Sequence, residues 1–139
     1  MSYLLDTNVI SEPKRPKPDV RVIQWLSSVN EVETFLSALT IGEMKKGVEK
    51  LPSSKNRALV QDYLEKTRNR FAGRILTITE KTFLVWGKMM AEFEKKGLMR
   101  PVLDSLLEAT ALEHDLILVT RNVRNFQGSS VTVLNPWED

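Results

Sequence analysis

Three acidic residues stand where a rigid backbone can present a carboxylate: Asp6, Glu43 and Asp104. Asp6 closes an apolar run, Glu43 lies in a helical pattern, and Asp104 follows a proline-containing linker. Each residue alone is also explained as a cap, because acidic side chains favour turns and the first turn of a helix. Held close together, the three carboxylates would repel one another, and a hard cation such as Mg²⁺ would relieve that repulsion. The set therefore indicates metal-dependent chemistry.

The rest of the sequence leaves few other kinds of chemistry open. It has no cysteine and one histidine, His114, which excludes disulfides, zinc–thiolate sites and thiol nucleophiles. His114 lies at the opposite end of its predicted helix from Asp104, so we interpret it as structural. A cation held by carboxylates lowers the pKa of water, orients it and stabilises charge on a phosphodiester. Phosphodiester hydrolysis is thus the simplest reaction that this chain can offer.

The elements that must position these acids follow from the hydrophobic pattern. Strands are predicted at 2–6, 33–39, 74–78, 116–120 and 131–134, and helices at 20–29, 40–51, 53–71, 79–97 and 104–115. The segment 12–19 contains three prolines and is predicted to be irregular. Strands that alternate with helices indicate a three-layer α/β/α fold with a central, mainly parallel sheet.

Two predicted helix starts concern the acids directly. Thr40 is expected to cap its helix, and Glu43 three residues later to complete a capping box. Asp104 is expected to open its helix as the cap. Glu108 follows one turn later on the same face. We expect Glu108 to be a solvated helix residue, with an added carboxylate for the metal site as the alternative.

Strand ends bring distant polar residues to one edge of the predicted sheet. In such sheets, ligands bind beyond the carboxyl ends of the strands. Asp6 ends the first strand, and Arg121 and Asn122 follow the fourth. Lys45 and Lys46 lie on the helix that carries the second acid. We therefore expect Lys45, Lys46 and Arg121 to contact the phosphates of a phosphodiester substrate near the metal, and the other basic clusters to be solvated.

Length and composition narrow the class of protein. A chain of 139 residues suits a single domain, 1–139, with one core. Its 20 basic and 18 acidic residues give a net charge of +2, which by itself does not indicate a nucleic-acid ligand. The N-terminus lacks the features of a signal peptide, and no stretch reaches the roughly 20 apolar residues of a membrane span. We expect a cytoplasmic protein without a membrane partner, which the absence of cysteine also fits.

Four segments together resemble one known family. LLDTNVISE, TIGEM, MRPVLDSLLEATALEHDLILVTRNVRNF and a closing NPW are similar, in order and spacing, to the PIN-domain toxins of the VapC/FitB group. The resemblance covers nearly the whole chain. It implies a parallel sheet of four or five strands between helices, and RNA cleavage that depends on Mg²⁺ or Mn²⁺. It also implies that Asp6, Glu43 and Asp104 are the acids of the site.

The same resemblance implies supporting residues and partners. A fourth position, which is Asp in many relatives, is Asn122 here, so the site carries one negative charge less. Thr120 would add a hydroxyl contact, and Asn8 would support the first acid. Glu108 stands where the family commonly has Ala. A cognate antitoxin that blocks the acidic site and a homodimer are also implied.

Three other functional classes remain compatible with the sequence alone. A phosphatase or phosphotransferase with an aspartyl nucleophile at Asp6 would need a second acid two residues later, where Asn8 stands. A receiver-like module would need a phosphoryl-accepting Asp after the third strand, and the run 74–78 ends without one. A PIN-like module that binds an antitoxin or RNA with little catalysis is the third alternative, because Asn122 replaces an acid.

Overall fold

Five short parallel strands form the centre of the structure, a computed structural model that describes residues 1–138. The strands are β1 (Tyr3–Leu5), β2 (Thr34–Ser37), β3 (Ile75–Leu76), β4 (Ile117–Val119) and β5 (Val133–Leu134). Their order across the sheet is β3-β2-β1-β4-β5, and all four pairings are parallel. The strand that carries Asp6 at its end is therefore central, with β4 beside it.

Six α-helices connect the strands. They are α1 (Thr7–Ser11), α2 (Val20–Ser28), α3 (Ala38–Glu49), α4 (Lys55–Arg70), α5 (Glu80–Lys95) and α6 (Val102–Glu113). Three short 3₁₀ turns span Glu12–Lys14, Glu31–Glu33 and Val123–Phe126. No helix among residues 1–138 has both the length and the apolar character that crossing a membrane requires.

Alternating residues of the strands send side chains into two cores, one on each face of the sheet. Leu5 lies in a core with residues of α1, α2 and α3, and neighbouring Leu4 lies in a second core with residues of α6. This period-two pattern is that of a strand covered on both faces. Further buried residues of the first core are Val9, Ile10, Val22, Leu36, Phe71, Val119 and Trp137. The predicted three-layer α/β/α fold is thus confirmed.

Several element boundaries differ from the sequence prediction. The strands predicted at 74–78 and 131–134 shrink to Ile75–Leu76 and Val133–Leu134. A helix that the pattern did not predict, Thr7–Ser11, begins directly after β1, with the Asp6 carboxylate accepting a hydrogen bond from the Thr7 N–H. Trp137, which the sequence did not place, is buried in the first core.

We expect Gly128 to be required by the turn that follows the last 3₁₀ segment. Its φ is +78°, and an added Cβ would lie 2.8 Å from Cδ1 of Leu98. Gly128→Ala should lower the free energy of unfolding by about 1–2 kcal/mol, because a left-handed backbone is costly for residues with a Cβ. Urea denaturation measures the change.

The matched control is Gly47→Ala in the exposed part of α3, where an added Cβ meets no atom within 4 Å. That variant should raise the free energy of unfolding by about 0.5–1 kcal/mol, because Ala favours a helix over Gly. Equal effects of the two substitutions would contradict the assignment.

Candidate active site

Asp6 lies at the carboxyl end of β1 and is almost completely buried, with 9% of its surface exposed. Its carboxylate is held at both oxygens. Oδ1 accepts from the Thr7 N–H at 2.7 Å, and Oδ2 accepts from the Thr120 hydroxyl at 2.8 Å. The backbone N–H of Asp6 donates to the carbonyl of Val119, which continues the β1–β4 ladder. The sheet and the first turn of α1 therefore fix this carboxylate in one orientation.

Thr120 is the centre of a hydrogen-bond network at the end of β4. Its hydroxyl donates to Asp6 and accepts from the Asn8 amide at 3.4 Å and the Asn122 N–H at 3.0 Å. The Asn8 side-chain oxygen in turn accepts from the backbone N–H of Arg121 at 3.3 Å. Four polar residues named from the sequence at this edge, Asn8, Thr120, Arg121 and Asn122, are thus joined to Asp6 through hydrogen bonds.

Glu43 reaches the site through Thr7. The Thr7 hydroxyl donates to Oε1 of Glu43 at 2.7 Å and lies 3.2 Å from the Thr40 hydroxyl. The predicted capping box is wrong, because α3 begins at Ala38 and its cap is Ser37, whose hydroxyl accepts from the Leu39 N–H. Glu43 therefore lies one full turn inside the helix, where its side chain is available to the site.

Asp104 is the third acid and comes from α6. The helix begins two residues earlier than predicted, at Val102 after Pro101, so Asp104 lies within its first turn and is not its cap. The Asn125 amide donates to Oδ2 of Asp104 at 3.3 Å, and the Asn125 N–H donates to the carbonyl of Asn122. This chain of bonds connects Asp104 to the loop that follows β4.

The negative charges of the three acids affect the pKa values of Asp6 and Asp104. Burial raises the pKa of Asp6 above its ordinary value, and the negative charges of Glu43 and Asp104 raise it further. The hydrogen bonds from Thr120 and from the Thr7 N–H lower this pKa but do not cancel the increase. Burial likewise raises the pKa of Asp104, and the charge of Glu43 adds to that shift. Mutual repulsion of this kind is what a bound cation removes.

The donor set suits a hard divalent cation, since carboxylate, hydroxyl and amide oxygens meet at the carboxyl edge of the sheet. We call Asp6, Glu43 and Asp104, with the polar residues that contact them, the acidic rim. Within residues 1–138, no three acidic or histidine side chains are arranged to hold a metal ion by themselves. Mg²⁺ commonly keeps several waters and binds through one or two carboxylates together with substrate phosphates. The residues therefore fit an open site that substrate helps to complete better than a closed protein cage.

The remaining residues predicted for RNA contact lie on the surface of the protein. Lys46 and Arg121 are exposed. Lys45 is also exposed, and its ammonium group contacts the Gln61 side chain at 3.0 Å and Glu49 at 3.8 Å. Arg121 is the basic residue whose backbone joins the Asp6 network. Its guanidinium lies over the Trp137 ring, 5.4 Å from the ring centroid.

Glu108 is not the solvated helix residue that the sequence suggested. Its side chain is buried and forms an ion pair with Arg100, Nε to Oε1 at 2.8 Å. Arg100 also donates to the carbonyl of Gln127 and lies over the rings of Phe93 and Phe126. Glu108 thus anchors the segment before α6 to the loop after the last 3₁₀ turn. The sequence suggestion failed because the partner, Arg100, lies before the helix begins, where helical spacing predicts no contact.

Two polar residues of the site were not identified from the sequence. Thr7 joins the first two acids, and Asn125 contacts Asp104. The position of Thr7 directly after Asp6, at the strand end, was a signal that could have found it. Asn125 lies in a 3₁₀ turn whose approach to α6 no local pattern encodes.

The fold and this acidic rim define a PIN domain. The PIN-domain family model matches residues 3–127 of the chain, so the chain belongs to that family.

Particular relatives agree closely over the full length. The chain is 38% identical over 137 residues to the toxin FitB of Neisseria gonorrhoeae, covering 98% of this chain and 99% of that protein. It is 32% identical to the VapC ribonuclease Y4jK of Sinorhizobium fredii, covering 97% of each. Among solved structures, FitAB bound to the IR36 DNA fragment gives a TM-score of 0.94 at 36% identity, covering 99% of this chain and 96% of that one. Other structures that share the fold are of toxin–antitoxin complexes.

We expect the Arg100–Glu108 pair to be a major determinant of stability. Glu108→Ala should lower the free energy of unfolding by about 3–5 kcal/mol, because it leaves a buried charge without a partner. The double variant Arg100→Met with Glu108→Leu should recover most of this loss. Guanidinium denaturation measures both. A double variant as unstable as Glu108→Ala would show that the ion pair itself, and not the unpaired charge, determines the loss.

The raised pKa of Asp104 predicts a pH-dependent gain in stability when its charge is removed. The folded state disfavours the ionised carboxylate, so the penalty is present above the folded pKa and disappears as the pH falls through it. Asp104→Asn should therefore melt at a higher temperature than wild type near pH 7 in EDTA, and the difference should vanish under acidic conditions.

Asp19→Asn is the control of opposite sign. The hydrogen bonds from Arg21 lower the pKa of Asp19, so its stabilising contribution is present at neutral pH and is lost as the pH falls. Asn also caps a helix well, so the cap of α2 is retained. Thermal melts from pH 3 to 8 compare the variants, and a gain for Asp104→Asn that persists at the acidic end would refute the electrostatic cause.

Proposed function

We propose that this protein is a Mg²⁺-dependent endoribonuclease, the toxin component of a type II toxin–antitoxin system. The observation that carries the proposal is the buried Asp6 carboxylate, fixed at the sheet edge by Thr120, with the charges of Glu43 and Asp104 close enough to raise its pKa. The resemblance to VapC ribonuclease Y4jK, which extends over 97% of the chain, supports RNA as the substrate.

Each residue of the rim has a distinct part in the proposed reaction. Asp6, Glu43 and Asp104 would hold the cation, Mg²⁺ with Mn²⁺ as a substitute, and the Asn122 side chain would assist as a neutral donor. When bound, the cation supplies charge neutralisation at the phosphodiester and a lower pKa for the attacking water. In-line attack by water leaves a 5′-phosphate and a 3′-hydroxyl.

The network behind the acids keeps their geometry ready before RNA binds. The Thr120 hydroxyl orients Asp6, Thr7 orients Glu43, and Asn125 contacts Asp104. Carboxylates that are fixed in place cost less reorganisation in the transition state than mobile ones. The exposed residues Lys45, Lys46 and Arg121 would contact RNA phosphates, which would make binding dependent on salt.

Two protein partners belong to the proposal. A cognate antitoxin would cover the acidic rim, and a second copy of the chain would form a homodimer. FitAB, which is solved bound to DNA, has the same fold at 36% identity, and this supports an antitoxin partner.

The test is cleavage of a mixed RNA pool by the purified protein. Cleavage should occur with Mg²⁺, stop in EDTA, and fall by about 100-fold or more in Asp6→Asn and in Asp104→Asn, because several kcal/mol of transition-state stabilisation are lost. Gel analysis with end labelling measures the rate and identifies the 5′-phosphate.

Asp62→Asn is the matched control. Asp62 is an exposed acid of α4 paired with Lys66, so the same chemical change there should leave the rate unaltered. Calorimetry with Mg²⁺ completes the design. Metal binding without cleavage would favour a PIN-like module that acts through antitoxin or RNA binding. An absence of metal binding would contradict the nuclease proposal.

A further inference from the structure

A second concavity opens at the same edge of the sheet as the acids. Its volume is about 410 Å³, and its lining includes Arg21, Gln24, Trp25, Leu134, Asn135 and Pro136. It lies between α2 and the segment that follows β5. None of these residues belongs to the acidic rim, and the proposed cleavage reaction does not use them.

The order of the strands brings this concavity close to the acids. Asp6 follows β1, Arg121 follows β4, and Asn135 follows β5, and these three strands are neighbours in the sheet. Adjacent strands are about 4.8 Å apart, so the end of β5 is about 10 Å from the end of β1. A nucleotide next to the phosphodiester at Asp6 can reach that far.

Arg121 connects the two places physically. Its backbone N–H donates to the Asn8 side chain, which belongs to the Asp6 network, and its guanidinium lies over the Trp137 ring. The backbone N–H of Trp137 donates to Oδ1 of Asn135 at 2.9 Å, so Trp137 in turn holds a lining residue of the concavity. A basic side chain thus lies between the acids and the concavity, where an RNA backbone that spans both would pass.

The lining has the groups that recognise a single unstacked base. Trp25 offers an indole surface, and an edge-to-face contact with Tyr3 at 5.2 Å holds the ring in place. The side-chain amide of Gln24 can pair with the edge of a base, and the carboxylate of Glu138, which also lines the concavity, can accept from an exocyclic amino group. Aromatic stacking combined with hydrogen bonds to base edges is the usual means of reading single-stranded RNA.

Arg21 adds a positive charge at the opening of the concavity. Its Nη2 is 2.9 Å from Oδ2 of Asp19, which keeps the guanidinium near the start of α2. The charge of Arg121 also acts on Asp19, so both arginines lower the pKa of this carboxyl. Two guanidinium groups beside an aromatic surface suit a nucleotide better than an amphipathic helix, which needs a longer apolar groove.

We propose that this concavity is a base-binding subsite for the nucleotide of single-stranded RNA adjacent to the cleaved phosphodiester. The proposal rests on the proposed ribonuclease function for its substrate class. It assigns Gln24 and Trp25 to the base, and Arg21 to the phosphate that follows. The subsite would give the protein a sequence preference at one position beside the cut.

The experiment measures RNA binding separately from cleavage. Fluorescein-labelled single-stranded RNA pentamers that differ at one base are titrated in EDTA with the protein carrying Asp104→Asn, and anisotropy gives the affinity. In that background, Gln24→Ala should weaken the preferred pentamer about 5–10-fold and reduce the difference between bases, since the edge contact is lost. Arg21→Ala should weaken all pentamers and lower the salt dependence by about one charge.

Arg68→Ala is the matched control, since Arg68 is an exposed helix arginine paired with a nearby acid, Glu65, as Arg21 is with Asp19. Gln24 is exposed, so its truncation should leave the fold intact, and a thermal melt of each variant verifies this. The subsite is supported if Gln24→Ala and Arg21→Ala weaken RNA binding and Arg68→Ala does not. It is overturned if all three bind RNA like the parent, or if they alter only antitoxin binding.

Cleavage by wild-type protein is measured in parallel, so the two proposals fail separately. If wild-type protein cleaves RNA but the Gln24 and Arg21 variants bind RNA with unchanged affinity and base preference, the subsite is contradicted and the nuclease proposal is supported. If wild-type protein does not cleave RNA but its RNA affinity depends on both residues, the subsite is supported and the nuclease proposal is contradicted.

Discussion

The hydrogen bond from Thr120 to Asp6 joins two strand ends that are 114 residues apart in the sequence. It forms only when β1 and β4 pair in the observed parallel register, with Leu5 opposite Val119. A slip of one residue would turn the side chains of the shifted strand to the other face of the sheet and separate the two groups. The apolar side chains of β1 and β4 prevent this slip because each must enter its own core. The register of the hydrophobic core thus sets the position of the buried carboxylate.

The same arrangement costs the folded state stability. Burial and neighbouring negative charges raise the pKa of Asp6, so the ionised form is less favourable there than in the unfolded chain. The hydrogen bonds from the Thr120 hydroxyl and the Thr7 N–H to the carboxylate reduce this penalty but do not remove it. Acidic clusters of this kind persist where function requires them, since stability alone would replace them with neutral residues. The energetics therefore agree with a site that is completed by a cation.

The sequence was sufficient wherever a short local pattern determined the position. Asp6 and Asn122 were placed correctly because apolar strands end beside them, and the layer order followed from the alternation of strands and helices. Errors arose where the end of a strand or a partner outside the helix decided the outcome. Ser37, and not Thr40, caps α3 because β2 ends at Ser37 and the helix begins at the next residue. Glu108 is buried because it pairs with Arg100, which lies outside α6, and no helical pattern reveals that contact.

These corrections bear on how many cations the rim can hold. Glu108 is neutralised by Arg100, and Asn122 supplies no charge, so the negative charge of the rim comes from Asp6, Glu43 and Asp104. Three carboxylates exceed the charge of one divalent cation by one unit, whereas two such cations would leave a net positive site before RNA binds. With no further acid to balance a second cation, the phosphates of RNA would have to do so. The charges present in the protein therefore favour one cation at the proposed site, with any second one arriving with the substrate.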